Sequence, residues 1–558
     1  MKFKESHTVS CDVLVIGGGG SGLRAAVEAR EGGADVLVVS KSRVGYGNNT
    51  YISKAAFSAT GWGDPQDGPH VHLKDTVIGG RFLNDQKMVA KMAEQAGSQV
   101  PFLEKCGVTF WKKEGKVRVA KAAGHSFARH VHAKRRVGSE LILPLKAYAK
   151  RIGVRFGDKV FVTRLFSCGG RIAGASGITE DGIFQKIAAQ CVILATGGFA
   201  NVYLQTNNAP GITGDGQALA YELGLPLKDM EFVQFYPTAT GKLGRSILLY
   251  EVFVLGAGAN LKNAKGEDII EKYGLSDPMV LTRDRLARTI MREITEGLDV
   301  EGGVIMDLSP IPEAKMARLG PLFPSKRSVD RKAFIVSPTT HFCMGGLIID
   351  KNAETSVPGL FAAGELGAGI HGANRLAGNA LCEVFTMGQI AGRAAAQRLG
   401  GMETQKMARD EIAAEKARLE SLFVHGRQDP KTLIRSLKEI MWQKAGIERH
   451  RDSLEEALQR IEAFRSLDSK SRITNWAQLI RCLELKNMLL VSEMVCRAAL
   501  LRTESRGSHY RSDYPAEDNE HWLKNIVLRK SERGMRLESF PVSLEVIVPE
   551  EVEKKSLK

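Results

Sequence analysis

An α/β fold divided into several domains is what this sequence predicts, on three observations. A short apolar strand, Asp12 to Ile16 (DVLVI), runs straight into Gly17-Gly-Gly19-Gly-Ser-Gly22 and then into a helical pattern from Leu23 to Ala29. A second apolar strand, Asp35 to Val39, follows. The order strand, GxGxxG, helix, strand is the Rossmann-type dinucleotide-binding unit, in which a helix N-terminus receives a pyrophosphate. Two further buried strands, Cys191 to Ala195 (CVILA) and Gly359 to Ala363 (GLFAA), each end in a glycine turn far downstream. Finally, 558 residues exceed what one core can organise, so roughly two to four domains are expected.

Composition narrows the class. The chain is 43% hydrophobic and 25% charged, enough apolar material for large cores. No run of about eighteen apolar residues exists, so no transmembrane helix is expected, and Met1 to Ser10 lacks an apolar signal core. A cytoplasmic protein is the expectation, with membrane contact only through a partner. The eight cysteines form no CxxC, so buried reduced thiols are expected and an iron-sulfur cluster bound by this chain alone is not. The net charge of +15 is spread out and lacks a basic run interleaved with aromatics, which excludes a nucleic-acid partner. The local exception, Arg129 to Arg136 (RHVHAKRR), reads as solvated surface or a docking face.

Taken in order, the second strand ends in Ser40-Lys41, a hydroxyl and a cation that can bond ribose or phosphate where an acidic residue often stands. Both NAD and FAD use such a unit. Val44 to Ser58, with Asn48, supplies Gly, Asn and Ser for close backbone contact with a flat ring system. Asp75 to Gly107 is helical and broken at Gly79-Gly80. Glu140 to Arg151 is a helix with Ser139 as its cap, although it contains Pro144. Val154 to Phe166 and Ile172 to Ile178 are strands of a small sheet. After CVILA come Gly197 and a GDG turn at Asp215, leading into a helix at Gln217 to Leu223.

From Phe235 to Pro338 strands and turns mix with a helix at Thr282 to Ile294, opened by Arg283, which marks an insertion. The stretch from Thr339 to Leu381 then packs His341, a Gly-Gly turn, Gly364-Glu365 and Arg375 between apolar runs. Glycine lets main chain approach a ligand, and arginine clamps carboxylates with two parallel hydrogen bonds. A long Gly- and Ala-rich helix from Leu376 to Leu399 follows, its N-terminal partial charge suited to an anionic ring edge. Residues 402–532 are helical, and the tail holds one short strand from Ser539.

These residues name a family. From Asp12 to Tyr514 the chain resembles the flavoprotein subunits of fumarate reductase and succinate dehydrogenase, a family that includes L-aspartate oxidase. The resemblance rests on VIGGGGSGLRAA, LATGGF, GDG, EFVQFYPT, TRDRLAR, TTHFCMGG, GLFAAGE, HGANRLAGNAL and ESRGSHYRSDYP. It implies a Rossmann-type FAD-binding domain in two parts (1–234 and 344–401), an α+β capping domain inserted between them (235–343), a C-terminal helical domain (402–532) and a tail (533–558). Gly17, Gly19 and Gly22 would hold the FAD pyrophosphate, Ser40 and Lys41 would lie along the adenosine part, and Asp215 and Glu365 would bond the ribose or ribityl chain. Asn48 and Gly197 join this cofactor set, and the Ala380-Leu381 backbone would meet the flavin. His341 and Arg375 match the pair that binds a substrate carboxylate. Arg283 matches the arginine that delivers a proton to carbon, and Glu251 its acidic partner. Hydride would come from flavin N5.

The departures from the family pattern bear on the substrate. The family's HPT is Tyr236-Pro237-Thr238 here, and its Thr-Glu-Gly-x-Arg is Tyr250-Glu251-Val252-Phe253-Val254. One carboxylate ligand and the arginine of the proton relay are gone, so a small anionic carboxylic acid is expected as substrate but not plain fumarate. Asn48-Asn49 stand where many respiratory members carry a flavin-linking histidine, so noncovalent FAD is expected. The alternatives are a flavin electron-transfer subunit working with an iron-sulfur partner and an amino-acid oxidase like L-aspartate oxidase.

Overall fold

The computed structural model describes residues 2–122, 124–241, 247–248, 252–276, 282–319, 323, 332–399, 406–423, 426, 428–468 and 472–549. Among these the largest sheet has seven strands. At its centre Glu5–Ile16 runs parallel to Val36–Ser40 on one side and to Ile183–Leu194 on the other. Leu360–Ala362 lies parallel to the last residues of Ile183–Leu194. Ile16 stands in register with Val39 and Leu194, and Leu194 with Ala362. Four segments therefore leave the sheet at one edge, where open parallel sheets bind ligands. Continuous apolar runs build these strands because helices cover both faces. The helix Gly20–Glu31 packs on Asn379–Arg398, with contacts so close that a Cβ at Gly392 would stand 2.3 Å from the Ala25 carbonyl oxygen.

The strands expected as a separate small sheet belong to this one. Val160–Cys168 and Arg171–Thr179 pair with each other, and the latter pairs antiparallel with Phe184 to Ala188. The long strand Ile183–Leu194 thus takes an antiparallel neighbour along its first half and a parallel one at its end. Its first half, IFQKIAAQ, mixes polar and apolar residues without a regular alternation, which hid its length behind the apolar CVILA run.

The inserted segment folds on its own core of Phe253, Leu261, Leu286, Ile290, Met306 and Val336. Val233–Thr240 pairs antiparallel with Ala333–Cys343, which pairs with Val304–Asp307 and through it with Asn260–Lys262. The helix Arg283–Thr295 starts after an extended Thr282 and buries Leu286, Ala287 and Ile290. Ser139–Arg151 is helical as expected and runs through Pro144, but Gly138, not Ser139, precedes its first turn.

In the C-terminal part, Pro430–Lys444, Arg451–Asp468 and Trp476–Leu501 pack together as helices. The end of the chain departs from expectation. Lys524–Ser531 and Gly534–Pro541 form an antiparallel hairpin, where a helical end and a single short strand were expected. The hairpin's first strand pairs with Leu227–Lys228, which pairs in turn with Gly346–Leu347. Contacts some three hundred residues away set this strand, so no local pattern announces it. No helix among the described residues is long and apolar enough to cross a membrane. All eight cysteines lie among the described residues and none forms a disulfide, and of them Cys168 alone is exposed.

Candidate active site

The strand ends open onto a cavity of about 540 Å³. Gly17, Gly19, Ser40, Lys41, Asn48, Gly197, Asp215 and Glu365 all line it. Gly17 has φ +122°, and a Cβ there would stand 2.2 Å from the Ala195 carbonyl oxygen. Gly22 stands off the cavity, where its own Cβ would lie 2.0 Å from the Gly17 oxygen. It seals the helix against the strand turn. Gly19 caps Gly20–Glu31 without a side-chain bond, so that helix presents N–H groups and partial positive charge to the cavity.

Lys41 Nζ donates to Asp215 Oδ2 at 2.6 Å, Thr213 Oγ1 at 2.7 Å and Glu484 Oε1 at 2.8 Å. Burial works against its charge, but Asp215 and Glu484 outweigh burial and raise its pKa. Asn487 Nδ2 donates to the other oxygen of Asp215 at 2.9 Å. Glu365 accepts from the Cys343 N–H at 3.0 Å, and burial pushes its carboxyl up to about 7. The sequence did not single out Glu484, Ile480, Arg481 or Ala477, which bring the helix Trp476–Leu501 to the cavity. Their spacing of three to four residues marks one helix face, the only local signal they carry. Ala380 and Leu381 form the first turn of Asn379–Arg398, whose N–H groups lack helical acceptors, but they do not line this cavity.

The second group of expected site residues gathers on the inserted segment and the turn Arg375 to Gly378. The Tyr236 ring is buried and meets His341 edge to face at 5.3 Å. Arg283 Cζ lies 5.0 Å from the centre of the Tyr236 ring. Burial first, and then the charges of Arg375 and Arg283, hold the His341 pKa well below its usual value. Arg375 is itself buried, with Cζ 4.9 Å from the Phe342 ring centre. Its Nη2 donates to Gln234 Oε1 at 2.9 Å, while Gln234 Nε2 donates back to the Arg375 carbonyl at 2.8 Å. Gln234, Phe342 and Asn207, whose Oδ1 lies 3.2 Å from His341 Nδ1, were not singled out from sequence. Tyr250 and Glu251 lie outside the described residues. Val254 is half-buried against the core of the inserted segment.

The basic stretch at Arg129 is not the solvated surface expected of it. Arg129, His130 and His132 are buried, whereas Lys134 and Arg135 are exposed. Arg129 pairs with Asp67 at 2.7 Å and Asp75 at 2.8 Å and donates to His125 Nδ1 at 3.1 Å. A guanidinium only donates, so His125 carries its proton on Nε2 and gives it to the Ala377 carbonyl at 2.8 Å. His130 Nε2 donates to the same oxygen at 2.9 Å. Two buried rings thus fix the turn between Arg375 and the helix at Asn379. Burial pushes the His125 pKa down to about 4, which keeps that donor neutral near pH 7.

The cavity fits a dinucleotide with a flat ring. It joins a glycine turn at a helix N-terminus to two buried polar atoms on its walls, Asn48 Nδ2 and Thr196 Oγ1, that have no protein partner among the described residues. Such atoms are costly unless a ligand completes them. The sequence model of the FAD binding domain family matches residues 12–381, and that of the fumarate reductase flavoprotein C-terminus matches residues 434–555. The chain is 36% identical to a fumarate reductase (CoM/CoB) subunit of Methanothermobacter marburgensis, covering 94% of this chain and 98% of that one. It is 34% identical to the fumarate reductase flavoprotein subunit of Mycobacterium tuberculosis, covering 96% and 98%. Among solved structures, the FrdA chain of E. coli quinol fumarate reductase superposes with a TM-score of 0.89 at 27% identity, covering 97% and 98%. Mycobacterium smegmatis Sdh1 does so with 0.87 at 32%, covering 99% and 97%. The chain therefore belongs to the fumarate reductase and succinate dehydrogenase flavoprotein family, and it is an FAD-dependent oxidoreductase.

Proposed function

We propose that the enzyme interconverts an unsaturated carboxylic acid, larger or less polar than fumarate, with its saturated form. The observation that carries this reading is the convergence of Arg283 and His341 on the buried Tyr236 ring, beside a buried Arg375. Bound FAD supplies or accepts hydride at N5. The chain's own residues do the rest. Gly17, Gly19, Ser40, Lys41, Asn48, Gly197, Asp215 and Glu365 hold the cofactor, helped by Gly22, Ala380 and Leu381. Arg375 and His341 clamp one carboxylate and orient the adjacent C=C bond. Arg283 gives a proton to the second carbon, and Glu251 resupplies it. Arginine is a weak acid, so the Tyr236 ring beside Arg283 matters: it shields one side of the guanidinium from water and helps to aim it.

Tyr236 takes the other end of the substrate, and Tyr250 is assigned there by the family resemblance alone. A second substrate carboxylate would find a phenol where the family has a histidine, and a buried, poorly partnered carboxylate is costly. That mismatch argues against plain fumarate. The relatives are named as subunits, which supports a second protein as electron partner, and an iron-sulfur subunit is our reading of it.

The test is anaerobic. Flavin reduced by a viologen dye is mixed with fumarate, crotonate and longer or aromatic unsaturated acids, and reoxidation is followed optically. Faster reoxidation by a larger acid than by fumarate is expected, and no reoxidation by any unsaturated acid would sink the proposal. Arg283→Ala should lower turnover by about 10²–10⁴-fold with FAD still bound, the range for losing a general acid. Full activity in that variant would remove Arg283 from the mechanism.

A further inference from the structure

We infer that Asn207 is a positioning residue that sets the tautomer of His341, so that the ring meets substrate with a bare Nε2 and takes up one proton when a carboxylate binds. The inference rests on the carboxylate-binding reading of His341 given above.

Asn207 is held against the strand that carries His341. Thr206 and Thr340 form a parallel bridge, the Thr340 N–H donates to the Gln205 carbonyl at 2.9 Å, and the Asn207 N–H donates to the Thr340 carbonyl at 3.3 Å. The next residue tightens the clamp: Asn208 Nδ2 donates to the carbonyls of Thr340 at 3.3 Å and His341 at 3.1 Å. From the cofactor side, Asn49 Nδ2 donates to Asn208 Oδ1 at 2.5 Å, and Asn49 Oδ1 accepts from the Ala209 N–H at 2.9 Å. Cofactor loop, 205–209 segment and His341 are thus one hydrogen-bonded unit.

Chemistry fixes the rest. The amide oxygen of Asn207 accepts and cannot donate, so the His341 nitrogen 3.2 Å away, Nδ1, carries hydrogen. A neutral imidazole has one N–H, which leaves a lone pair on Nε2. Among the described residues the ring's hydrogen bond is the one between Nδ1 and Asn207. Among the described residues the groups facing the ring are the guanidiniums of Arg375 and Arg283, from the turn before Asn379–Arg398 and from Arg283–Thr295, and the Tyr236 phenol ring on Val233–Thr240. Burial first, and then the two cations, hold the imidazole pKa well below its usual value and so favour the neutral ring. A carboxylate oxygen brought against a bare Nε2 sets lone pair against lone pair. Its negative charge also offsets the two arginines, so a solvent proton can join Nε2. The product is a charge-assisted Nε2–H to carboxylate bond, with one proton taken up per carboxylate bound and no electron transferred. Asn207 is satisfied as acceptor before and after, which makes it the right neighbour for a ring that cycles between these states.

The test uses FAD-loaded protein with isotope-labelled histidine nitrogens. Long-range proton–nitrogen spectra distinguish the two ring nitrogens, and His341→Gln assigns the His341 signal among the 12 histidines. At neutral pH we expect hydrogen on Nδ1 and none on Nε2. Hydrogen on Nε2 in the unliganded wild type overturns the inference. Crotonate affinity, read from the flavin spectrum, should weaken about tenfold per pH unit in the range where binding requires proton uptake. In Asn207→Leu the other tautomer becomes free, so this slope should flatten. In Asn207→Asp the slope should persist and shift to higher pH, because an anion beside Nδ1–H favours the imidazolium. An unchanged slope in folded, FAD-loaded Asn207→Leu also overturns the inference. Failure of crotonate and the other acids to bind at any pH sinks the carboxylate reading instead, and the tautomer is still judged from the spectrum.

Discussion

The two halves of the site are built in opposite ways. The cofactor half is built on main chain, with glycine turns at the ends of parallel strands and a helix N-terminus, and side chains such as Lys41, Asp215, Glu365 and Glu484 complete its walls. The proposed substrate half is made of long side chains that hold one another: Arg283 on Tyr236, Tyr236 on His341, Arg375 on Phe342 and Gln234. Backbone geometry is fixed by local sequence and tolerates no change in shape. A web of side chains is fixed by tertiary contacts and can be retuned one residue at a time.

The first way to break the comparison is at Gly22. A side chain there would place Cβ 2.0 Å from the Gly17 carbonyl oxygen, which is backbone and cannot swing aside. Gly22→Val should cost on the order of 4 kcal/mol or more and yield protein without FAD. The ratio of flavin absorbance to protein, and the denaturation midpoint, check it. A stable, yellow variant would show that the turn is as adaptable as the substrate half.

The same division explains what the sequence made legible. VIGGGGSG announces the cofactor half because its strand, turn and helix are neighbours in the chain. Strand ends at Leu194 and Ala362 were readable for the same reason. The helix face at Ala477, Ile480, Arg481 and Glu484 was not, because nothing in a helical pattern says which surface it covers. Lys41 was placed at the adenosine end, but its pairing with Glu484 spans more than four hundred residues. In the substrate half, residue identities came through family resemblance and the geometry did not. Gln234 sits in the same EFVQFYPT motif as Tyr236 and escaped notice, because a buried glutamine shows its purpose only once its partner is known. The charged neighbours of Arg129 read as surface, whereas Asp67 and Asp75 supply the counter-charges that permit its burial.

Glu365 sharpens the comparison at intermediate size. Burial raises its carboxyl to about 7 against an ordinary 4.5. In the FAD-free protein the folded state therefore prefers the protonated form. The penalty for ionisation is absent below the unfolded value near 4.5, grows as pH rises, and is complete above about 7. Glu365→Gln removes it. The FAD-free variant should be more stable than the FAD-free wild type at pH 8, by about 3 kcal/mol, and nearly equal to it at pH 4.5. Denaturant midpoints at the two pH values measure this. FAD affinity should fall in the same variant, since an amide is a weaker acceptor for a hydroxyl than a carboxylate. An equal stability gain at both pH values would show that packing, not ionisation, sets the difference.

Gln234 tests the substrate half, where the smallest effect is expected. Its amide oxygen accepts from Arg375 Nη2, and its amide nitrogen donates back to the Arg375 carbonyl. The same nitrogen donates to Asn374 Oδ1 at 2.7 Å. These bonds set the direction of a guanidinium that the Phe342 ring already supports from its face. Gln234→Leu keeps much of the volume and deletes the bonds. A hydrogen bond to a charged group contributes about 1.5–3 kcal/mol, and part of that returns through water, while the bond from Nη1 to the Leu376 carbonyl keeps the guanidinium partly anchored. The remaining loss of about 1.4 kcal/mol corresponds to a tenfold weaker carboxylate clamp. KM should rise about tenfold while kcat changes less, because the clamp acts on bound substrate before and during hydride transfer alike. FAD content should not change, since Gln234 does not line the cofactor cavity. Loss of FAD from this variant would mean that the two halves are coupled through the Arg375 turn and cannot be tuned separately.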